Sequence, residues 1–214
     1  LDDVLIGGAG SDTLIGGDGT DTVSYSTSSR AVTVNLSTAS VAGDSSTTND
    51  AFGDTYDSIE KLTGSDWNDI FIAGSDKTDY VYDGGAGVDT VNFSQSASSG
   101  VNVDLIKNAI GSINKASGGF AQGASFGSIE NIIGSAYDDT LRGDDSGASN
   151  SIDGGAGNDT IFVTAGYDTL DGGAGNDTLD YSNISLAIKV DLKSSSINVS
   201  ANPTYSQKIY NFEN

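Results

Sequence analysis

Residues 153–180, DGGAGNDTIFVTAGYDTLDGGAGNDTLD, contain the sequence pattern that indicates the architecture of the chain. This stretch holds the string GGAGND twice, with the two starts eighteen residues apart and a degenerate copy, VTAGYD (163–168), between them. The same pattern, GGxGxD, occurs five times along the chain: GGAGSD (7–12), GGDGTD (16–21), GGAGVD (84–89), GGAGND (154–159) and GGAGND (172–177). Repetition at a period of nine residues indicates a repeat architecture rather than an ordinary globular core.

Each copy of the pattern reads as one loop followed by one short strand. Glycine adopts positive φ without a steric cost, so GGxG can turn the chain with its carbonyls pointing inward. The three residues that follow the Asp are β-prone and have an apolar residue in the middle: TLI, TVS, TVN, TIF and TLD. Nine residues therefore make half a turn of a flattened coil, and eighteen return the chain to the same edge. We predict an all-β fold, a parallel β-roll or β-solenoid of stacked short strands.

The acidic residues indicate that the loops bind a cation. The formal net charge is −21, and 27 of the 30 acidic residues are Asp. Such selective use of the short carboxylate predicts side chains that reach back to their own loop. Calcium prefers about six to eight oxygen ligands, more than a single loop offers. We therefore expect ions to lie between loops that stack one turn apart.

With U for an apolar residue, GGxGxDxUx resembles the nonapeptide of the RTX (repeats-in-toxin) calcium-binding family. Weaker copies keep only the Asp and the apolar residue, at Asp3, Asp69 and Asp139. The resemblance implies a right-handed β-roll with several calcium ions. The first loop of a pair gives the carbonyls of positions two and four and its Asp; the loop one turn on gives those of positions one and three and its Asp.

Carried onto this chain, the resemblance implies one site that joins loop 154–159 to loop 172–177, through Gly155, Gly157, Asp159, Gly172, Ala174 and Asp177. A second site joins the Asp3 loop to Gly16, Asp18 and Asp21, while loop 7–12 is expected on the opposite edge. The full set of implied calcium-binding residues is Asp3, Gly7, Gly8, Ala9, Gly10, Asp12, Gly16, Gly17, Asp18, Gly19, Asp21, Asp69, Gly84, Gly85, Ala86, Gly87, Asp89, Asp139, Gly154, Gly155, Ala156, Gly157, Asp159, Gly166, Asp168, Gly172, Gly173, Ala174, Gly175 and Asp177.

A longer unit also recurs and sets the domain organisation. We predict a single solenoid over 1–214, with units of about 1–15 (partial), 16–83, 84–171 and 172–214 (partial). Both ends fall inside a unit, so we expect the protein to continue in both directions. The runs VTVNL (32–36), VNVDL (101–105), IKVDL (188–192), SIEKL (58–62) and SIENI (128–132) are predicted as strands. The stretches 37–57, 106–127 and 193–208 are predicted as protruding loops.

Composition excludes most other functions. The chain has no Cys and no His, so zinc sites, thiol chemistry and His-based catalysis are excluded, and its nine scattered basic residues argue against nucleic acid and anionic membranes. Glu60, Glu130 and Glu213 occupy equivalent positions of three units, which favours a structural role because an active site is normally assembled once. We predict no enzyme activity, no membrane insertion and no obligate oligomer.

Two sets of side chains remain to be assigned. Tyr25, Phe93 and Tyr181 share one register and are predicted to form a core ladder, while Trp67 and Tyr137 share another. The acids between Asp44 and Asp57 (Asp44, Asp50, Asp54 and Asp57) fit either a solvated loop or an additional calcium loop.

The resemblance implies a protein that is exported unfolded by type I secretion and folds when it meets extracellular calcium, outside or on the surface of a bacterium. Its neighbouring repeats and calcium are then its partners. One functional hypothesis is a structural or adhesive spacer that also helps the parent chain to fold. The alternative is an accessory carbohydrate-binding module of a secreted polysaccharide-modifying enzyme, which predicts an aromatic or basic groove on one face and extracellular polysaccharide as a partner.

Overall fold

The computed structural model describes residues 1–36, 49–74, 79–106, 109–112, 114–184 and 207–213. In these ranges the chain forms eighteen short strands and one 3-10 turn at Gly119–Ala121. In chain order the strands are β1 (Val4–Leu5), β2 (Thr13–Ile15), β3 (Thr22–Ser24), β4 (Thr33–Asn35), β5 (Thr55–Asp57), β6 (Lys61–Thr63), β7 (Ile70–Ile72), β8 (Val81–Asp83), β9 (Thr90–Asn92), β10 (Asn102–Asp104), β11 (Ser125–Gly127), β12 (Asn131–Ile133), β13 (Thr140–Arg142), β14 (Ser151–Asp153), β15 (Thr160–Phe162), β16 (Thr169–Asp171), β17 (Thr178–Asp180) and β18 (Lys208–Tyr210).

The strands stack into four parallel sheets. Sheet 1 has the order β1-β3-β6-β8-β11, sheet 2 is β2-β5, sheet 3 is β18-β16-β14-β12-β9-β7-β4, and sheet 4 is β10-β13-β15-β17. Consecutive strands always lie in different sheets, so the chain winds as a coil and each strand pairs with its counterpart one turn later. This confirms the prediction of a parallel β-roll or β-solenoid, and all five strands predicted after the complete nonapeptides are present.

The turns of the coil have two kinds of length. Short turns repeat after 18 residues, as from Asp159 to Asp177, or after 20, as from Asp139 to Asp159. Long turns repeat after about twice that distance, such as 41 residues from Asp89 to Glu130. The long turns carry a third strand: β5 follows β4 before the chain returns to sheet 1, and β10 does so after β9. The nonapeptide thus sets the short turns, and the segments between nonapeptide clusters form the long ones.

The core is a thin column of apolar side chains, one from the middle of nearly every strand. In most strands the central residue is buried and both neighbours are partly exposed. Within sheet 4, Val103, Leu141, Ile161 and Leu179 stand in register on successive turns. Each such side chain contributes about 1.5–3 kcal/mol by its burial.

Aromatic side chains thicken the middle of the column. Tyr82 stacks on Phe126 with ring centroids 5.8 Å apart and also contacts Phe71. Of the predicted core ladder, Tyr25 and Phe93 are fully buried and Tyr181 is half-buried against the same core. Trp67 and Tyr137 lie on the surface.

Two parts of the strand prediction were wrong. The stretches 37–57 and 106–127, expected as protruding loops, contain β5 and β11, because their last residues pair with strands one turn away. The runs 58–62 and 128–132 become strands only from Lys61 and Asn131 onward, because Ser58 and Ser128 before them have positive φ. The run 188–192 and most of 193–208 lie outside the described residues, although the final residue of 193–208 begins β18.

No helix in the described ranges has the length and apolar character that a membrane-spanning segment requires.

Candidate metal centre

Wherever nonapeptide loops stack, the sixth residues form a hydrogen-bonded ladder along the coil, which we call the position-six ladder. The backbone N–H of one turn donates to the side chain of the sixth residue one turn later. The bonds run from Asp3 to Asp21, from Asp69 to Asp89, from Asp139 to Asp159 and from Asp159 to Asp177, with N···Oδ1 distances of 2.7–2.8 Å. Charge-assisted bonds of this kind are stronger than neutral ones, so the Asp of each nonapeptide fixes the register of its neighbour.

A second ladder runs in the opposite direction at position five, and the sequence reasoning missed it. Here the side chain of one turn accepts the N–H of the next turn. Asn68 accepts from Val88 at 3.0 Å, and Asp138 accepts from Asn158, which in turn accepts from Asn176. The signal was present in the sequence, because the fifth residue is Asn or Asp in the four loops whose next turn is a complete nonapeptide: Asp2, Asn68, Asp138 and Asn158.

Each complete nonapeptide holds one buried carboxylate oxygen without a protein partner. Five Asp residues share this feature: Asp12, Asp21, Asp89, Asp159 and Asp177, each through Oδ2. They are the sixth residues of the five GGxGxD copies. A buried anionic oxygen without a donor is costly unless a cation approaches it.

The unpartnered oxygen lies beside the first glycine of its loop, in a narrow space that the absent side chain leaves to this oxygen and to a carbonyl of the next turn. At Gly154 a methyl group would collide with both Asp159 Oδ2 and the carbonyl oxygen of Gly172 on the next turn. The first glycine of three other copies, at Gly16, Gly84 and Gly172, meets the same pair of neighbours, the Oδ2 of its own Asp and a carbonyl from the next turn. A space lined by a carboxylate and a backbone carbonyl offers the hard oxygen donors that calcium prefers. The residues present therefore fit a calcium ion.

The loops 154–159 and 172–177 come together as the sequence predicted, and their backbones are also joined directly. The carbonyl of Gly155 accepts the N–H of Ala174, and the carbonyl of Ala174 accepts the N–H of Gly157, both at 2.9 Å. Each of these carbonyls keeps a second lone pair for a metal ion. Gly173 and Gly175 have positive φ and lie against the carbonyls of Gly155 and Gly157, so a side chain at either position would push the turns apart.

Three weaker copies have a Ser or Thr at the second position that donates to the carboxylate, although Gly64 and Gly134 meet the same pair of neighbours, an Asp Oδ2 and a carbonyl of the next turn. In loop 64–69, Ser65 donates its N–H to Asp69 Oδ2 (2.5 Å) and its hydroxyl to Asp69 Oδ1 (2.8 Å). Ser135 does the same for Asp139. In the degenerate copy, Thr164 donates its hydroxyl to Asp168 Oδ2 at 3.2 Å. The second residue of the loop is Ser or Thr instead of Gly in all three, so these carboxylates are satisfied by the protein itself.

The remaining predicted residues lie in the same stacks. Asp3 is exposed and begins the ladder to Asp21, while the carbonyl of Asp18 lies against the backbone of Leu1 in the preceding turn. Loop 7–12 stacks on Asp54, which accepts the N–H of Asp12 at 2.8 Å. Of the acids between Asp44 and Asp57, Asp54 is therefore a buried ladder residue, Asp57 is exposed, and Asp44 lies outside the described residues.

Burial raises the pKa of several ladder carboxyls. The pKa of Asp89 rises to about 7, chiefly through burial, with Asp69 and Glu130 adding repulsion. The pKa of Asp159 rises to about 6 for the same leading reason, with Asp139 and Asp177 adding repulsion. Burial also raises the pKa of Asp69, Asp139 and Asp168, against the hydrogen bonds that lower it. A bound cation would favour the ionised form of each group.

Within the described residues, no three acidic side chains gather into a cluster that could hold a metal by themselves. An ion in these loops would need backbone carbonyls for much of its coordination, as the predicted sites do. Which of the predicted residues bind calcium stays a prediction.

Comparison with known proteins agrees with the sequence pattern. A family model described as the RTX calcium-binding nonapeptide repeat matches in 4 copies, over residues 1–26, 126–146 and 147–183. These segments contain four of the five complete nonapeptides. No curated protein matches the chain.

Proposed function

We propose, from the premise that this chain carries RTX calcium-binding nonapeptide repeats, that it is a structural module of an exported protein and that it folds when it binds calcium. The observation that carries the proposal is the set of five buried, unpartnered Asp oxygens, one in each complete nonapeptide. Four of them, at Asp21, Asp89, Asp159 and Asp177, lie beside a backbone carbonyl of the next turn, where a cation shared by the two turns would satisfy both oxygens.

Charge explains why folding and binding would be coupled. The chain carries a net charge of −21, and winding it into a coil stacks carboxylates one turn apart. Repulsion and the desolvation of these groups oppose folding. Calcium binds the folded coil far better than the extended chain, because only the coil brings two loops together. Because the apolar core is thin, we expect bound calcium to supply a large part of the stability of the coil.

The same coupling supports an extracellular setting. At millimolar calcium, sites of modest affinity are filled and the coil is stable, whereas at cytosolic calcium the chain would remain extended and fit for export. We propose secretion by the type I route, as the RTX repeats imply. In this setting the module serves as a spacer, adhesive segment or folding module.

A calcium titration followed by far-UV circular dichroism tests the proposal, with magnesium as the matched control. We expect a cooperative gain of β-structure with calcium and none with magnesium, which holds its water too firmly for carbonyl-rich loops. Excess chelator should reverse the change. A chain that is equally folded in chelator and in calcium would refute the proposal.

The surface gives less support to the alternative, a polysaccharide-binding module. That function would need aromatic or basic side chains gathered on one face. Among the described residues, the exposed rings are those of Trp67, Tyr137, Tyr167 and Tyr210. Trp67 precedes β7, which lies at least four strand positions away from β16, which Tyr167 precedes, and from β18, which contains Tyr210, and Tyr137 precedes β13 of sheet 4. We therefore favour the structural module.

A further inference from the structure

Three short turns without glycine stand where a nonapeptide loop would be expected. Each has a residue with positive φ, then a hydrophobic residue, then Glu. We call them the closing tripeptides: Ser58–Glu60, Ser128–Glu130 and Asn211–Glu213. Their first residues have φ values of 55°, 49° and 53°, an uncommon conformation for residues other than glycine.

Each closing tripeptide lies directly after a complete nonapeptide in its stack. The loop that ends at Asp21 is followed one turn later by Glu60, and those that end at Asp89 and Asp177 are followed by Glu130 and Glu213. In every case the Asp N–H donates to Glu Oε2, at 2.8–2.9 Å. Asp159 donates to Asp177 Oδ1 at 2.8 Å in the same way. The Glu carboxylate thus holds the position that Asp holds between two complete nonapeptides.

The backbone carbonyl is matched as well. Between two complete nonapeptides, the carbonyl of Gly172 faces the space at Gly154 beside Asp159 Oδ2. At the closing tripeptides the carbonyls of Ser58, Ser128 and Asn211 face the corresponding spaces at Gly16, Gly84 and Gly172. The positive φ of the first tripeptide residue accompanies a carbonyl directed at the loop one turn earlier.

An independent observation points to a ligand in this space. Asp21, Asp89 and Asp177 have no exposed surface, and the Oδ2 of each is buried without a partner. Each of these oxygens lies beside the space that the tripeptide carbonyl also lines. Two oxygen donors from one turn and the next therefore converge on a point that no protein donor reaches.

We propose that the three closing tripeptides are half-sites for calcium, each completing an ion site with the preceding nonapeptide. The Glu carboxylate and the carbonyl of the first tripeptide residue replace the Asp and the carbonyl that a second nonapeptide would supply. Glu has one more methylene than Asp, so its carboxylate reaches the ladder from a turn that lacks the GGxG loop. A single isolated nonapeptide, such as 84–89, can then hold an ion without a second nonapeptide beside it.

This inference rests on the proposed calcium-dependent function, and the Glu130→Gln variant tests it separately. Gln keeps an oxygen that can accept the Asp89 N–H but removes the charge. The number of ions bound per chain is measured by native mass spectrometry, and affinity by equilibrium dialysis with calcium alone. We expect one site to weaken by about tenfold or more, because ligand charge sets calcium affinity. Asp138→Asn is the matched control, since it removes one exposed charge and keeps an acceptor for Asn158, and it should leave the count unchanged.

The outcomes separate the two proposals. A wild-type chain that binds no calcium would refute the proposed function. Normal binding by the wild type together with unchanged count and affinity in Glu130→Gln would refute the half-site alone. If Glu130→Gln does not fold, the anomalous diffraction of lanthanide ions in wild-type crystals decides: we expect an ion between Asp89, Ser128 and Glu130, and ions found only between pairs of complete nonapeptides would overturn the inference.

Discussion

Replacing Asp159 by Asn should have opposite effects in the absence and presence of calcium. Asp159 Oδ1 accepts the Asp139 N–H at 2.8 Å, whereas Oδ2 is buried without a partner. Asn keeps the first contact and removes the buried charge. Burial raises the pKa of Asp159 from 3.8 to about 6, so its ionised form opposes folding at pH 7.5. After allowance for nearby solvent, the penalty is about 1–2 kcal/mol, and removing it should stabilise the calcium-free fold by that amount.

With calcium the same substitution should be harmful. Every ion that binds only the folded state raises the free energy of unfolding by about 1.4 kcal/mol for each tenfold increase in calcium above its dissociation constant. Asp159→Asn removes a charged ligand. The slope of the free energy of unfolding against the logarithm of calcium concentration should therefore decrease by the contribution of at least one ion. Urea unfolding at a series of calcium concentrations measures the slope, and its extrapolation to zero calcium gives the metal-free stability.

Asp139→Asn is the matched control, one turn earlier in the same stack. Both oxygens of Asp139 already accept hydrogen bonds from Ser135 and Val101, so an amide NH₂ there would face a backbone N–H. We expect it to destabilise the chain at every calcium concentration. If Asp159→Asn behaved like this control, with a parallel slope and lower stability throughout, the reasoning about unpartnered oxygens would be wrong.

Three further predictions test the hydroxyl groups, the buried charge and the core. Ser135→Ala removes the 2.8 Å hydrogen bond from the hydroxyl to Asp139 and should lower the free energy of unfolding in urea by about 1.5–3 kcal/mol, by the same amount at every saturating calcium concentration. A loss of stability that grows with calcium concentration would contradict the role given to this hydroxyl. In chelator the folded fraction should rise as pH falls from 7.5 to 5, because the pKa of Asp89 is raised to about 7. The folded state then keeps a proton that the unfolded chain loses near pH 4, so this contribution to stability is fully present below about pH 4 and is lost as the pH rises through 7. A circular dichroism signal that does not change between pH 7.5 and 5 would contradict this prediction. Leu141→Ala, at a fully buried position, should cost about 2–5 kcal/mol in saturating calcium, while Ile15→Ala, at a position that is 57% exposed, should change stability by about 0.5 kcal/mol or less.

The short turns of the fold could be predicted from the sequence because the residues that determine each turn are adjacent in the chain. The triplets after the five complete nonapeptides are strands at the residues expected, since a glycine-rich loop and a following β-prone triplet determine both the turn and the strand. The pairing of loop 154–159 with loop 172–177 also followed from their spacing.

The features that could not be predicted depend on which segments of the chain come together after a long turn. Strand β5 has no nonapeptide before it, and its partner β2 lies 42 residues earlier in the chain. Glu60 and Glu130 were predicted to be equivalent and structural. Their positions one turn after Asp21 and Asp89, where they accept the Asp N–H groups, depend on the path of those long turns. Ser65 was unassigned because its effect on Asp69 is a matter of hydrogen-bond geometry within one loop.

The two ladders give the coil a chemical polarity. At position six, the buried N–H of each turn donates toward the next turn, on the C-terminal side. At position five, the N–H donates toward the preceding turn, on the N-terminal side, and lies near solvent. Removing the following turn would leave the position-six amide of a turn without its acceptor, and removing the preceding turn would leave the position-six carboxylate without its donor. The two ends of such a coil therefore differ chemically, because the C-terminal end presents position-six amides and the N-terminal end presents position-six carboxylates, and a segment that covers one end would not suit the other.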